Sequence, residues 1–411
     1  MKPVVRGIDR GEEKLKILYI HQYYQRNQGG TRSYELAKYF QKSGAEVTII
    51  TGSSSNSKDQ DKIQVKSTHT SYNQKMSKLK RIFSFIHFSF KSILIGLGQK
   101  DSDIIYGTST PLTVGLISLF LSKWLKKPYI FEVRDVWPDI PIELGYLKNR
   151  FVIYGLKKCE RLIYKHASHI IVLSSGMKVN LIAKGVDAKK ITVAENMVNN
   201  ELVIEIKEKK TDKLRSVKKR ELQDWMTNKF IVVHPGTMGV VNDLDYLLRV
   251  AELVQPYPQI AFLLIGEGSQ KSALQEKINS KQLENIVIVD EMSKIEIFQL
   301  MEDCDLGDMN VMDNSILWDN SANKFFDFLA IGLPIIINYQ GWQKQLLEST
   351  GAGASFKFSD IEGYCNYIVD LSVNHEKRNN AAQAAKNISH QFEVPKIGER
   401  IFSVIKRQVG K

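Results

Sequence analysis

The chain has 411 residues, of which 43% are apolar and 25% charged, and a formal net charge of +12. That length exceeds one ordinary hydrophobic core and points to two domains, and the composition excludes a chain disordered throughout. The three scattered cysteines, Cys159, Cys304 and Cys365, form no CxxC pair, which argues against a disulfide framework or a zinc site and fits a reducing compartment.

The basic balance suits an anionic partner: a membrane surface, an anionic substrate or nucleic acid. No stretch reaches the ~20 apolar residues that span a bilayer. The apolar piece Ile17 to Ile20 in the basic start is too short for a signal peptide. The expected place is the cytoplasm, with room for attachment to a membrane face.

In chain order, "KILYIHQYY" reads as a short buried strand. "GGTRSYELAKYFQKSGAEVTIIT" reads as a turn, an amphipathic helix with Tyr34, Leu36, Ala37 and Phe40 at helical spacing, a stop at Gly44, and a strand. "NQKMSKLKRIFSFIHFSFKSILIGLGQK" interleaves Lys75, Lys78, Lys80, Arg81 and Lys91 with Phe, Ile and Leu. It is either a membrane-interfacial helix or a core helix with a solvated lysine face. "DIIYGTST" is a strand ending in a small polar turn, "PLTVGLISLFLSKWLKK" an apolar helix, and "PYIFEVRDVWPD" a strand entering a loop. "HIIVLS" and "KITVAENMV" are further strands.

From Asn199 to Trp225 the character changes: "EIKEKKTDKLRSVKKRELQDW" is dominated by charged residues with no sustained apolar stripe, which marks a solvated connector, a surface helix and a domain boundary. The alternation then restarts with "KFIVVHPGTMG", "DLDYLLRVAELV", "IAFLLIGEGSQKSALQEKI" and "IVIVDEMSKIEIFQLMEDCDL". Strand–helix alternation of this kind predicts two α/β domains, each a parallel sheet with helices on both faces. The expected divisions are 1–200, 201–390 and a terminal helix, 391–411, that packs back on the first domain.

In open parallel sheets ligands bind beyond the carboxyl ends of the strands. The polar segments there are His21 and Gly29–Arg32, Thr108–Thr110, Glu132–Asp135, Glu195–Asn196, His234–Gly239, Gly266–Gly268 and Asp290–Ser293. "QGGTRSYE" can bring backbone N–H groups and a helix N-terminus to an anion, or is an ordinary glycine turn capped by Thr31. It lacks the G-x-G-x-x-G spacing of a dinucleotide fingerprint. "FEVRDVWPDIP" gathers Glu132, Arg134, Asp135 and Asp139, as a site or as a strand-end salt bridge. The glycine turns "HPGTMG", with Gly236 and Thr237, and "GEG", with Glu267 and Gly268, can set N–H groups against phosphate or a nucleoside hydroxyl.

"DNSANKFFDFLAIGLP" carries two acids eight apart, Asp319 and Asp327. Ser321 is the expected N-cap of a helix running to Ile331, with Gly332 as its stop. Asn323 and Asp327 share a face. Lys324 sits in the first turn, where the helix dipole disfavours a cation unless an anion binds there. The alternative is a surface salt bridge from Asp319 or Asp327 to Lys324. No D-x-D metal motif stands at a strand end; "DCD" at Asp303–Asp305 reads as a helix end.

Together these motifs, in order from about Lys16 to Val404, resemble the retaining GT-B glycosyltransferases of family four. "EVRDVWP" and "NKFFDFLAIGLP" are most similar to the subgroup that builds O-antigen and capsule repeat units with N-acetylated amino sugars such as N-acetylfucosamine. The resemblance implies a GT-B fold, two Rossmann-like domains facing a central cleft. It implies transfer of a sugar from a UDP-sugar donor to a lipid-linked (undecaprenyl diphosphate) saccharide acceptor at an anionic membrane surface, with no metal, no cofactor and no nucleic acid. The family carries two glutamates eight apart, and Asp319 and Asp327 match that spacing. Asp327 would then hold the ribose hydroxyls and Asp319 would touch the donor sugar. Asn323 and Lys324 would sit at the diphosphate, with Gly236 and Thr237 in the adjoining turn. Gly29, Gly30 and Thr31 would close over the phosphates, Glu267 and Gly268 would lie near the donor, and Met292 near the uracil. Asp135 would orient or deprotonate the acceptor, with a diphosphate oxygen as the rival base.

Two departures from the family stand out. Arg134 replaces a common histidine, and no cation occupies Thr237–Asn242, where members carry Arg and Lys. Lys324 is the best substitute, helped by Arg134 or Arg32. A GT-B UDP-sugar epimerase and a non-catalytic partner subunit of a membrane transferase are the alternatives.

Overall fold

The computed structural model describes residues 14–24, 32–52, 63–70, 76, 78–200, 203–204 and 217–410. Gly29, Gly30 and Thr31 lie outside them, as does most of the charged connector.

Two parallel sheets organise the chain. The first contains β1 (Lys16–Ile20), β2 (Glu46–Thr51), β3 (Gln64–Ser67), β4 (Ile104–Thr108), β5 (Tyr129–Val133), β6 (His169–Val172) and β7 (Ile191–Val193), in the spatial order β3-β2-β1-β4-β5-β6-β7. The second contains β8 (Phe230–Pro235), β9 (Ile260–Ile265), β10 (Ile286–Val289), β11 (Leu306–Met309), β12 (Ile335–Ile337) and β13 (Gly353–Ser355), in the order β10-β9-β8-β11-β12-β13. Runs such as Ile260–Ile265 are buried along their whole length because helices cover both faces, so they read as unbroken apolar segments. In each sheet the chain order reverses once, between β1 and β4 and between β8 and β11. In open parallel sheets ligand crevices lie beyond the strand ends at such switch points.

The helix Asn323–Ile331 crosses the second sheet with Phe325, Phe326, Phe328 and Leu329 buried. Its close approach depends on Gly307 of β11, where a Cβ would meet the Phe328 ring at 2.6 Å. Gly332 ends the helix in the left-handed conformation, as the sequence predicts.

The last helix, Val394–Val409, leaves the second domain and packs on the first. Phe402 stacks on Phe40 with ring centroids 5.6 Å apart, and Tyr39 donates to Glu399 at 2.9 Å. Gly398 lies flat against the Tyr39 ring, where a Cβ would be 2.5 Å from it. The chain thus crosses between the domains twice, which ties their orientation to this helix.

Candidate active site

On the first domain the strand-end charges resolve into a buried pair. Arg32 Nε donates to Glu132 Oε2 at 3.0 Å, both side chains almost fully buried. Tyr106 Oη and Thr108 Oγ1 donate to the same carboxylate at 2.6 Å each. Burial raises the Glu132 carboxyl, but the Arg32 charge and the two hydroxyl donors outweigh it and hold the group below the ordinary range. Arg32 also donates to the carbonyls of Ala194, at 2.8 Å, and Glu195. The expectation that Arg32 helps at the phosphates is corrected: its donors are spent inside the domain, where an uncompensated carboxylate would be costly.

Arg134 and Asp135 stand just beyond β5. The Arg134 backbone N–H donates to Ser109 Oγ at 2.9 Å, and Thr110 Oγ1 donates to Asp135 Oδ2 at 3.1 Å, leaving Asp135 exposed. His21, at the end of β1, bonds Ser33 Oγ at 2.7 Å through Nδ1. Burial and then the Arg134 charge push its pKa well down, so His21 is neutral.

On the second domain two glycine turns stack backbone on backbone. Gly266 faces the Gly236 carbonyl, where a Cβ would come within 2.0 Å of the oxygen, and both glycines hold positive φ, +146° and +126°. Gly268 faces Met238 O in the same way, with 2.1 Å to a hypothetical Cβ. Glu267 and Asp290 share Lys271 Nζ at 2.5 Å each. Asn242 reaches back to the Thr237 carbonyl. Met292 is half-buried just before Ser293, whose hydroxyl accepts from the Glu296 N–H to cap the next helix.

Lys324 points into the first of these turns, its Nζ 3.6 Å from where a Gly236 Cβ would sit. The ammonium donates to His234 Nε2 at 2.8 Å. His234 Nδ1 in turn donates to Asp308 Oδ2 at 2.6 Å, and Tyr364 Oη donates to Asp308 Oδ1. Burial pushes His234 down to about 4. Burial also lowers Lys324, to about 8, with Asp308 acting in the opposite direction.

The surface salt bridge to Lys324 is not formed. Asp327 pairs with Lys294 at 3.0 Å, and burial raises its carboxyl against that pairing. Asn323 is exposed on the first turn. The capping expectation is also corrected: Ala322 occupies the N-cap with no side-chain bond, because the Ser321 carbonyl is drawn instead to Asn196 Nδ2 of the first domain. The helix therefore begins without a side-chain cap beside Lys324.

Asp319 lies at the domain junction. Ser174 Oγ donates to its carbonyl at 2.8 Å. Its carboxylate rests on Gly176, at the N-terminus of the helix Ser175–Ala183, where a Cβ would be 1.6 Å from Oδ1. The dipole favours an anion there, and burial raises the carboxyl. Asp319 and Asp327 are thus engaged by different partners rather than meeting as a pair.

Residues 29–202 match the model of Glycosyltransferase Family 4, and residues 217–388 that of Glycosyl transferases group 1. The two halves of the chain match glycosyltransferase families, and together they make the GT-B fold. An uncharacterized glycosyltransferase of Methanocaldococcus jannaschii is 27% identical over 130 residues, which span 30% of this chain and 30% of that relative. Anabaena HepE in complex with UDP and glucose superposes with a TM-score of 0.72 at 18% identity, covering 96% of this chain and all of that one. Sucrose-phosphate synthase from Thermosynechococcus elongatus gives 0.73 at 11% identity, with 96% and 99% covered. At these identities the structures establish shared fold.

In this GT-B chain three residues hydrogen-bonded in series beneath Lys324 are ones that motif reading leaves out. His234 falls within a segment singled out at the strand ends, without a role. Asp308 hides inside a four-residue strand and Tyr364 inside an apolar helix. A carboxylate in the middle of "LGDM", a wholly buried strand, is the signal that could have found Asp308. Gly176 and Ser174 carry no such signal.

The Asp319 contact is directly testable. Gly176→Ala should lower the apparent thermal midpoint, since overpacking a close contact costs about 1–3 kcal/mol. Adding Asp319→Gly should recover most of the loss. A Gly176→Ala protein as stable as the parent would contradict the contact.

Proposed function

We propose that this chain transfers a sugar, an N-acetylated amino sugar, from a UDP-sugar donor to a lipid-linked saccharide acceptor, with retention, in the building of bacterial capsule or O-antigen. The observation that carries the reading is Lys324, a half-buried ammonium at an uncapped helix N-terminus beside the Gly236 turn. A nucleotide sugar departs as a nucleoside diphosphate, and negative charge builds on it as the glycosidic bond breaks. A pre-aimed cation and backbone N–H groups stabilise that charge without a metal. HepE with UDP and glucose supports UDP as the nucleotide. Asp327, one turn along from Asn323, is assigned to the ribose hydroxyls. The exposed Asp135, steadied by Thr110, is assigned to the acceptor hydroxyl, with Arg134 beside it for an anionic acceptor.

The membrane part of the proposal rests on the helix Lys78–Leu97. It buries Ser84, Phe88 and Ser92 but exposes Leu79, Ile82, Phe83, Ile86, Phe90 and Leu94, a continuous stripe at helical spacing. The stripe runs for roughly 22 Å at ~1.5 Å per residue. The neighbouring helix Thr113–Leu125 adds Phe120 and Trp124, stacked and exposed, next to the exposed Lys123 and Lys126. Large exposed apolar surface with basic residues at its margin fits the headgroup region of an anionic leaflet. No helix of the described residues is long and apolar enough to cross a membrane.

Donor use is checked by UDP release from a panel of UDP-sugars with and without lipid-linked acceptor. Release that depends on acceptor is expected, and Lys324→Ala should lower the rate by about 100-fold. Conversion of the free UDP-sugar without acceptor would identify an epimerase instead. In flotation with anionic vesicles, the Phe83→Ser/Phe90→Ser variant should bind about tenfold less than the parent. Equal recovery of the two, or no recovery of the parent, would contradict the docking face.

A further inference from the structure

Asp308 presents an unusual charge problem. Its side chain is fully buried, yet among the described residues no lysine or arginine is paired with it. It is hydrogen-bonded by a tyrosine hydroxyl and a neutral imidazole. The balancing charge is Lys324, one imidazole away. His234, Asp308 and Tyr364 are each 0% exposed, and they come from β8, β11 and the helix Ile361–Val373. Three elements thus converge on one ammonium.

The tautomer follows from the geometry. A carboxylate can only accept, so His234 carries its proton on Nδ1 and leaves Nε2 as an acceptor. An ammonium can only donate, so Lys324 fills that acceptor. We propose that His234 and Asp308, backed by Tyr364, are positioning residues of the donor site: they hold the Lys324 ammonium charged and aimed at the Gly236 turn, where a diphosphate binds. The inference rests on the donor-site reading of Lys324.

A free lysine side chain loses rotamer entropy on ordering; here that loss is borne before donor binding, which is the benefit of preorganisation. The charged and titratable groups that face Lys324 are His234 and, through it, Asp308 and Tyr364. On its own helix Asp327 is taken by Lys294. Around Asp308, Tyr246, Tyr339 and Cys365 are all raised by burial and stay uncharged near neutrality. The lowered Lys324 pKa sets the window: affinity for an anion is full below about 8 and declines as pH rises through it.

The test uses the full chain with UDP as the probe, by calorimetry from pH 7 to 9, where the terminal phosphate with its pKa of about 6 is already ionised. The parent should lose about tenfold in affinity across that range, the fraction of charged lysine being the cause. Asp308→Asn removes the anion that sustains the lysine charge. It should move the decline to lower pH and weaken binding at pH 8 by roughly fivefold. His234→Phe should do the same, whereas His234→Gln, whose amide offers one donor and one acceptor, should stay within about twofold of the parent. Folded Asp308→Asn and His234→Phe proteins with the parent's pH profile would overturn the inference. Lys324→Gln binding UDP as tightly as the parent would instead overturn the donor-site reading beneath it. If the buried variants do not fold, ¹⁵N histidine spectra of the parent decide: an Nδ1-protonated His234 whose Nε2 shift responds near pH 8 is expected, and an Nε2-protonated ring would overturn the inference.

Discussion

A lysine ammonium in the first turn of a helix is disfavoured by the dipole and, when half-buried, by lost hydration. Much of the second domain accommodates that one placement at Lys324. Gly307 lets the helix settle on the sheet through Phe328. Gly236, in a conformation few other residues adopt, packs directly against the ammonium, where a Cβ would lie 3.6 Å from Nζ. His234 reaches it from β8, and Asp308 on the adjacent β11 backs the imidazole, which is held neutral between two charges. The positive charge beside the Gly236 turn thus comes from the helix Asn323–Ile331 and not from the turn itself.

The first domain bears on that helix too. Residues 319–321 immediately precede it, and they are held by Ser174, Gly176 and Asn196. Any movement between the domains that shifts those contacts shifts the start of the helix with Lys324 on it. The C-terminal helix, stacked on Phe40, constrains the same relative orientation from the other side. The start of the helix that carries Lys324 is therefore tied to both domains.

The two-sheet architecture was legible because strand–helix alternation leaves periodic apolar runs, and the strand ends marked where to look. Lys324 stood out as a cation badly placed for an empty helix. Other features were not legible, for physical reasons. The partner of Glu132 is a hundred residues earlier in the chain, so alternation within "FEVRD" could not reveal that Arg32, and not Arg134, neutralises it. The N-cap at Ser321 looked natural locally, but a contact from the other domain redirects its backbone. Asp319 and Asp327 have the spacing of a pair, but tertiary contacts send one to Gly176 and the other to Lys294. Asp308 carries only a faint local mark, because a four-residue buried strand reads as core whatever one of its residues is.

If a diphosphate binds beside Lys324, the ammonium and the helix N-terminus must both meet it. The most direct measurement is a crystal structure of the full chain with UDP. The expected result is a phosphate oxygen within about 3 Å of Lys324 Nζ, at hydrogen-bonding distance, with the uncapped N–H groups of Asn323 and Lys324 turned toward it. UDP bound with its diphosphate away from Lys324, and the ammonium still engaged only with His234, would contradict the account.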